Sequence, residues 1–418
     1  MDRSARQLAV LVGGKGTRLG VLSQATPKPL MPIDEGRVFL DFLLEGMVRQ
    51  GITHVLMVAG HFGEQIVSRY AHRNVLGADI DVIVEPEPMG TGGALRLARP
   101  HLADNFFLMN GDTIFDANIR KLEARLRADD RLQGVMALRR VPDVGRYGSV
   151  ETDQADRVVK FLEKDPSRNG VEGLINGGIY VLRKGVIDLI PDRPTSLETE
   201  ILPVLAKNGV LAGIAAEGYF LDIGLPEALE QARTELPQRS RPVLFLDRDG
   251  VVNVDHGHVG SIDRWEWAPG AVDLIRAAND HGVAVVLVTN QAGIAKGYYA
   301  ECDVWALHHH VSMDLHRQGA FIDAVYYCPE HADAVSGAYR VSIPIARKPS
   351  SVMLSRALRQ QNLNPSRALL VGDQISDIEA ASALSIPALL YKGGRVDDLV
   401  FASKEWARLI EAGGEFKA

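Results

Sequence analysis

Cysteine is scarce: the chain has two in 418 residues, Cys302 and Cys328. So few thiols cannot build a secreted disulfide framework, and a reducing compartment fits better. Long hydrophobic runs are missing. The longest, VAVVLV at 283–288, is far too short to span a bilayer. The opening MDRSARQLAVLVGGKG carries early charge and is soon broken by glycine, so it is expected not to act as a secretory leader. Excess positive charge is also missing. The formal net charge is −7, which gives nucleic-acid binding no electrostatic support but leaves local cations free to hold small phosphates. Internal repeats and low-complexity segments are absent. What is present is an ordinary globular mixture, 46% hydrophobic and 24% charged, which excludes a mostly disordered or collagen-like chain. At about 150 residues per domain, the length predicts two to three domains. A soluble cytoplasmic protein is expected.

The sequence reads twice as an α/β domain. LAVLV (8–12) is stopped by Gly13 and Gly14, and VLFLD (243–247) by Arg248 and Asp249. Continuous apolar runs of this length fit strands of a parallel sheet buried on both faces. HVLMVAG, DVIVE and FFLMNGD follow in the first half; VAVVLVTN, ALLVGD and PALLY follow in the second. Helical patterns lie between several of them, such as FLDFLLEGMVRQGI. This alternation predicts two doubly wound domains with sites at the carboxyl ends of strands. Asn110, Asp112, Asp247, Thr289 and Asp373 stand at such ends. The polar, proline-bearing TELPQRSRP (234–242) suggests domains at 1–235 and 243–418 with a linker at 236–242.

The first strand leads into VGGKGTRLG. A Walker loop is excluded by Ala9 and Gly16, and the dinucleotide fingerprint by Leu19. A glycine-rich turn remains, with Gly13, Gly14, Gly16 and Thr17 beside Arg18, and Lys28 follows in PKPL. Its backbone N–H groups can approach phosphates, with Arg18 and Lys28 as charge-stabilising cations. A plain strand–loop–helix turn with solvated cations reads equally from the glycines alone. GGKGTRLG, PKPL, EPEPMGTGGAL (85–95), MNGD (109–112), FLEK (161–164), INGGIYVL (175–182) and FLDIG (220–224) occur in that order. The series resembles the sugar-1-phosphate nucleotidyltransferases over roughly residues 6–235. Within them it is most similar to the GDP-sugar branch and to heptose 1-phosphate guanylyltransferases, to which RYGSV (146–150) and SLETEILP (196–203) add.

That resemblance implies a Rossmann-like mixed sheet and transfer of a nucleotidyl group from a triphosphate to a sugar phosphate. Such chemistry rests on positioning and charge neutralisation. By the same resemblance, Asp112 and Asp222 are carboxylates for Mg²⁺, and Arg18 and Lys28 hold phosphates and the leaving pyrophosphate. Gly13, Gly14, Gly16, Thr17, Gly90, Thr91, Asn110 and Gly111 line the nucleotide. Glu163 and Lys164 contact the sugar and its phosphate, and Asn176 and Gly177 line the sugar side. Taken singly, Asp222 is an ordinary loop acid and Glu163–Lys164 a solvated pair. Glu85 and Gly90 fall in the stretch that the resemblance assigns to the nucleobase edge; guanine offers N1–H and N2–H₂ there as adjacent donors, and a carboxylate takes both, so Glu85 favours GTP. Alternatively, Glu85 caps the turn before Pro86.

In the second half, LFLDRDGVVN sets Asp247 and Asp249 two apart after a buried strand. Asp247 can attack phosphorus; Asp249 can protonate the leaving oxygen and then deprotonate water. Thr289 in VLVTNQ, Lys348 in RKP, and Asp373 and Asp377 in LLVGDQISD follow in order. This order resembles the haloacid-dehalogenase-type phosphatases over about 242–400. It implies Mg²⁺ held by Asp247, Asp373 and the Asp249 carbonyl, with Thr289 and Lys348 on the phosphoryl oxygens. FLDRDGVVN, TNQAGIAKGYY (289–299), YYCPEH (326–331) and ARKP (346–349) resemble the heptose 1,7-bisphosphate 7-phosphatases; histidinol phosphatases share that subfamily. Asn290, Gln291 and Arg347 are then substrate contacts. Spacing between stations leaves no room for a large cap domain.

That family often carries a zinc loop. Here Glu330, Pro344 and Ala346 replace ligands, so zinc is not expected and Cys328 reads as a small apolar residue. Tyr326, Tyr327, Ile343 and Ile345 are expected to hold the loop by packing. His308, His309 and His310 lie in a helical pattern, where consecutive positions diverge and cannot share one ion.

Together these readings predict a bifunctional enzyme of GDP-heptose synthesis. One half would remove the 7-phosphate of D-glycero-D-manno-heptose 1,7-bisphosphate, and the other would couple the 1-phosphate to GMP. GTP and heptose phosphates are the expected partners, Mg²⁺ the cofactor of both domains, and a homo-oligomer is open. The alternative is a mannose- or glucose-type nucleotidyltransferase fused to a phosphatase of another specificity, such as histidinol phosphate. A non-enzymatic sugar-nucleotide sensor is a third reading, against which the intact acids argue.

Overall fold

The structure is a computed structural model that describes residues 5–14, 19–20, 23–145, 149–162, 169–335 and 337–411. The chain divides into two compact units, Met1–Gln238 and Arg239–Ala418. Among the described residues, no helix is long and apolar enough to cross a membrane.

The first unit is built on a mixed sheet. Its strands run, edge to edge, Leu211–Ala216, Gly134–Val141, Gly173–Arg183, Asn105–Asn110, Gln7–Leu11, His54–Ala59, Ala78–Val84 and Asn74–Val75. The four from Asn105–Asn110 to Ala78–Val84 are mutually parallel. Gly173–Arg183 is antiparallel to both its neighbours. Burial on both faces explains the unbroken apolar runs: Leu8 and Val10 join one core, Ala9 the other. The helix Phe39–Val48 buries Phe39, Leu40, Leu43, Leu44 and Met47. Strand Ala78–Val84 starts earlier than DVIVE suggested and leaves Glu85 as the first residue beyond it. A separate ribbon pairs Thr113–Phe115 with Phe220–Asp222, setting Asp222 opposite Thr113.

The second unit holds five parallel strands in the order Ala324–Cys328, Ala284–Asn290, Arg241–Leu246, Leu363–Gly372 and Ala388–Leu390. Their carboxyl ends gather Asp247, Thr289, Asn290 and Asp373. Leu244 and Leu246 face one core, Val243 and Phe245 the other. The strand begins at Arg241, inside the stretch read as linker, and Leu236–Gln238 forms a 3₁₀ turn with Leu236 buried. Arg241 is ordered by an ion pair to the buried Asp323 at 2.7 Å. The insertions after Asn290 and Cys328 carry only the short helix Ala292–Ala295 and the turn Gly337–Tyr339. No cap domain folds there among the described residues.

Candidate active sites

In the first unit a cavity of about 570 Å³ opens at the carboxyl ends of the parallel strands. Gly13, Gly14, Lys28 and Asp112 line one part of it; Glu85, Gly90, Thr91 and Asn110 line another. Lys28 Nζ lies 3.1 Å from Asp112 Oδ2. Gly111 donates its N–H to Leu11 O, and a Cβ there would come within 2.7 Å of Val12 Cγ1. The Ile223 N–H donates to Asp112 O at 3.1 Å, so the ribbon brings Asp222 to the strand beside Asp112.

Glu85 is held by its own N–H on Ala59 O at 2.7 Å. Its carboxylate rests over Gly13 and Gly60: a Cβ on either would lie 2.7 Å from Oε2. Burial pushes the carboxyl pKa up, and the Met89 N–H, 3.4 Å from Oε1, tempers this. The contact is long, so the turn-capping role exists but leaves most acceptor capacity free.

Thr91 is less available than expected. Its hydroxyl donates to Glu198 Oε2 at 2.6 Å and accepts from the Leu197 N–H at 2.8 Å, pinning SLETEILP to the cavity wall. Gly90 is in the left-handed region (φ +72°), where a Cβ would sit 2.6 Å from Thr195 O. Asn176 donates to Tyr180 OH at 2.6 Å and accepts from the Gly178 N–H at 3.0 Å, bracing a bulge in its strand. At Gly177 a Cβ would strike the Phe115 ring. Gly16, Thr17, Arg18, Arg146, Tyr147, Gly148, Glu163 and Lys164 lie outside the described residues.

In the second unit Lys348 Nζ lies 2.8 Å from Asp247 Oδ1 and 2.6 Å from Asp377 Oδ1, and donates to Val288 O. Burial works against the Lys348 charge, but the two carboxylates outweigh it and hold its pKa above the ordinary value. Burial likewise pushes the Asp247 carboxyl up, against the pull of Lys348. Asn290 and the Lys348 backbone exchange two hydrogen bonds, 3.2 and 3.0 Å, so Asn290 places Lys348. Thr289 is buried and accepts from Gln291 Nε2 at 2.9 Å. Arg347 Nη1 is buried with no partner found.

Carboxylate oxygens of Asp247, Asp373 and Asp377 lie within 4.8 Å of one another. Asp373 Oδ1 has no hydrogen-bond partner although it is buried. Three acids facing one ammonium fit a divalent cation in chemistry and charge. Asp377, read from sequence only as a companion of Asp373, is a member of this cluster. The left-handed Gly250 (φ +88°) lets the turn after Asp249 press on Asp373, where a Cβ would lie 2.6 Å from Oδ2.

One expectation fails at the neighbouring loop. Ile343 and Ile345 are 83% and 73% exposed and do not supply the packing, whereas Tyr326 does pack on the apolar cluster that holds Cys328, and Tyr327 OH accepts from Trp305 Nε1 at 2.9 Å. Hydrogen bonds tie the loop as well: the Arg340 side chain donates from Nε and Nη2 to Ala334 O, and the His331 N–H donates to Tyr339 O. Cys328 is 1% exposed within an apolar cluster containing Phe245 and Val286, and burial raises its thiol pKa.

A family model described as nucleotidyl transferase matches residues 8–239. The chain belongs to the nucleotidyl transferase family. A second model, HAD-hydrolase-like, matches 345–408. Residues of the second half are 41% identical over 160 residues to the D-glycero-beta-D-manno-heptose-1,7-bisphosphate 7-phosphatase of Rhodopseudomonas palustris, covering 38% of this chain and 88% of that protein. The first half is 35% identical over 222 residues to the D-glycero-alpha-D-manno-heptose 1-phosphate guanylyltransferase of Campylobacter jejuni (53% and 96%). It is also 35% identical over 239 residues to the mannose-1-phosphate guanylyltransferase of Mycobacterium tuberculosis (56% and 65%). The chain thus joins a nucleotidyltransferase to a HAD-like phosphatase, families that generally use a divalent metal.

Sequence reasoning missed His61 and Phe62, which also line the nucleotidyltransferase cavity. Their ring centroids are 3.9 Å apart, and Phe62 holds a left-handed conformation (φ 59°) before the helix Gly63–Tyr70. Their place just past strand His54–Ala59 was the available signal. In the phosphatase, Arg248 was named only as the end of a strand, and His308 was read only as part of a helix face, solvated or partly in the core. His308 turns inward from the helix Glu301–Arg317 with Nε2 3.3 Å from Arg248 Nη1, while His309 is exposed. Burial, then the nearby Arg248 charge, lowers the His308 pKa to about 4.

Proposed function

We propose that this chain makes a GDP-heptose from a heptose 1,7-bisphosphate in two steps, in the cytoplasm. The observation that carries the reading is the pairing of relatives along one chain. Removing the 7-phosphate, the reaction in the first relative's name, leaves a heptose 1-phosphate, which the second relative's name gives as the guanylyl acceptor. Each relative is matched over nearly its full length.

In the phosphatase, Asp247 is the nucleophile. Lys348 and Thr289 hold phosphoryl oxygens, Asp249 moves the proton, and Arg347 meets the sugar end. Asp247, Asp373 and Asp377, with the Asp249 carbonyl, would hold Mg²⁺, which supplies charge neutralisation on the phosphoryl group. In the transferase, Glu85 accepts from guanine N1–H and N2–H₂. Lys28 and Arg18 neutralise phosphate charge, and Asp112 and Asp222 would hold the second Mg²⁺. A sugar phosphate oxygen attacks the α-phosphorus and pyrophosphate leaves.

The two relatives are named for opposite anomers. Neither step breaks the bond between C1 and its oxygen, so one chain performing both must use a single anomer. The transferase relative points to α. Measuring kcat/KM for α- and β-heptose 1,7-bisphosphate, histidinol phosphate, and α- and β-heptose 1-phosphate against mannose 1-phosphate tests this. The heptose α-anomers should lead at both sites; a preference for mannose 1-phosphate or histidinol phosphate overturns the reading.

A further inference from the structure

Between the nucleophile and its partner acid sits a fully buried arginine without an assigned role. Arg248 has no exposed surface. Its Nη2 lies 2.9 Å from both oxygens of Asp249, and Nε lies 3.2 Å from Oδ1. The guanidinium is fixed in turn: Nη2 also lies 3.0 Å from Gln291 Oε1 and within reach of Val259 O, so its two hydrogens are shared among these acceptors, and Nη1 meets His308 Nε2 at 3.3 Å. Gln291 Nε2 and Asn253 Nδ2 add donors to Asp249 at 2.8 and 3.1 Å. Tyr299 OH donates to Gln291 Oε1 at 2.8 Å. A planar fork held at several points fixes direction as well as distance, which a flexible ammonium does not.

We propose that Arg248, braced by His308, is the positioning residue that aims the Asp249 carboxylate during phosphoester hydrolysis. The inference rests on the phosphatase reading above. In the first half-reaction an Asp247 oxygen bonds to phosphorus, the ester P–O bond breaks, and the leaving oxygen takes a proton from Asp249. In the second, a water oxygen bonds to phosphorus, the P–O bond to Asp247 breaks, and Asp249 takes the water proton as phosphate departs. The second half needs a carboxylate lone pair aimed at the water. A carboxylate free to rotate is aimed only part of the time. His308 enters as an acceptor: Arg248 donates to Nε2, which assigns the ring proton to Nδ1. Loss of that acceptor frees one arm of the fork.

The test is stopped-flow hydrolysis of p-nitrophenyl phosphate with Mg²⁺ by the full chain and its His308→Leu, His308→Gln and Arg248→Lys variants. Nitrophenolate is a good leaving group and needs little help from an acid, so the first half-reaction should survive a misaimed Asp249. His308→Leu should release about one nitrophenol per chain in a fast burst. The steady rate after it should be down on the order of 10- to 100-fold, with KM falling in step so that kcat/KM, which reports the first half-reaction, is little changed. His308→Gln, which restores an acceptor, should recover most of the loss. Arg248→Lys should show the same burst with a deeper steady-state loss; if it does not fold, the His308 pair decides alone. A His308→Leu enzyme with full kcat, a loss confined to KM, or a slowed burst overturns the role of Arg248. Wild-type hydrolysis that is absent, or untouched by Asp247→Asn, overturns the phosphatase reading instead.

Discussion

Lys348 Nζ stands 2.8 Å from the Asp247 carboxylate, with both side chains almost wholly removed from water. An ion pair at that depth is costly to break from one side, since the partner left behind is a buried, unpaired charge. Lys348→Met should abolish phosphatase activity and destabilise the second unit by about 3–5 kcal/mol. Guanylyl transfer from supplied heptose 1-phosphate should stay within a few-fold. Urea unfolding of the variant with both assays checks this; an unchanged midpoint would show that the pair is not a stabilising contact.

Asp247→Asn and Asp112→Asn should divide the activities. The first keeps shape but removes the nucleophile, so phosphate release should fall by orders of magnitude while transfer persists within a few-fold. The second should do the reverse. Loss of both activities in either folded variant contradicts two separate sites.

Much of this was legible because both sites sit at carboxyl ends of strands, and buried strands announce themselves as apolar runs. The strand-end placing of Asp112, Asp247, Thr289 and Asp373 was read that way. Contacts made by chain reversal were not legible. Nothing in SLETEILP says that Glu198 will take the Thr91 hydroxyl, nor in a histidine triplet that one ring will meet Arg248 from 60 residues away. The outward turn of Ile343 and Ile345 was misread because hydrophobicity tells what burial would gain, not whether hydrogen bonds such as those of Arg340 already tie the loop.

Glu85 should set the choice of base. GTP should be preferred over UTP by about tenfold or more, as unpaired buried polar groups cost about 1–3 kcal/mol. Glu85→Gln should erode that ratio because an amide spends one position as a donor. Equal parent rates with UTP contradict the assignment.

The same residue gives a pH signature. Burial raises the Glu85 pKa above its unfolded value near 4.3. The folded state therefore retains its proton to higher pH, and without nucleotide this group's contribution to stability is lost as pH rises through the folded pKa. Binding to guanine uses the ionised form. The GTP-to-UTP ratio should therefore decline on acidification, starting above the pH where an ordinary glutamate titrates. Glu85→Gln should flatten the profile. A parent ratio constant down to pH 4.3 contradicts this.

Cys328 lies in an apolar core and its loop lacks further thiolates. Cys328→Ser should cost about 1 kcal/mol of stability and leave phosphatase turnover largely intact. Elemental analysis should find far less than one zinc per chain. Stoichiometric zinc, or inactivation by the substitution, would overturn this view of the loop.

The central claim is that one chain carries a sugar through two consecutive reactions. Purified enzyme incubated with α-heptose 1,7-bisphosphate, GTP and Mg²⁺ and followed by mass spectrometry tests it most directly. The account predicts inorganic phosphate, then pyrophosphate and GDP-heptose in equal amounts, with Asp247→Asn halting both unless heptose 1-phosphate is added. GDP-linked sugar still bearing the 7-phosphate, or phosphate release with no GDP-heptose at all, would contradict it.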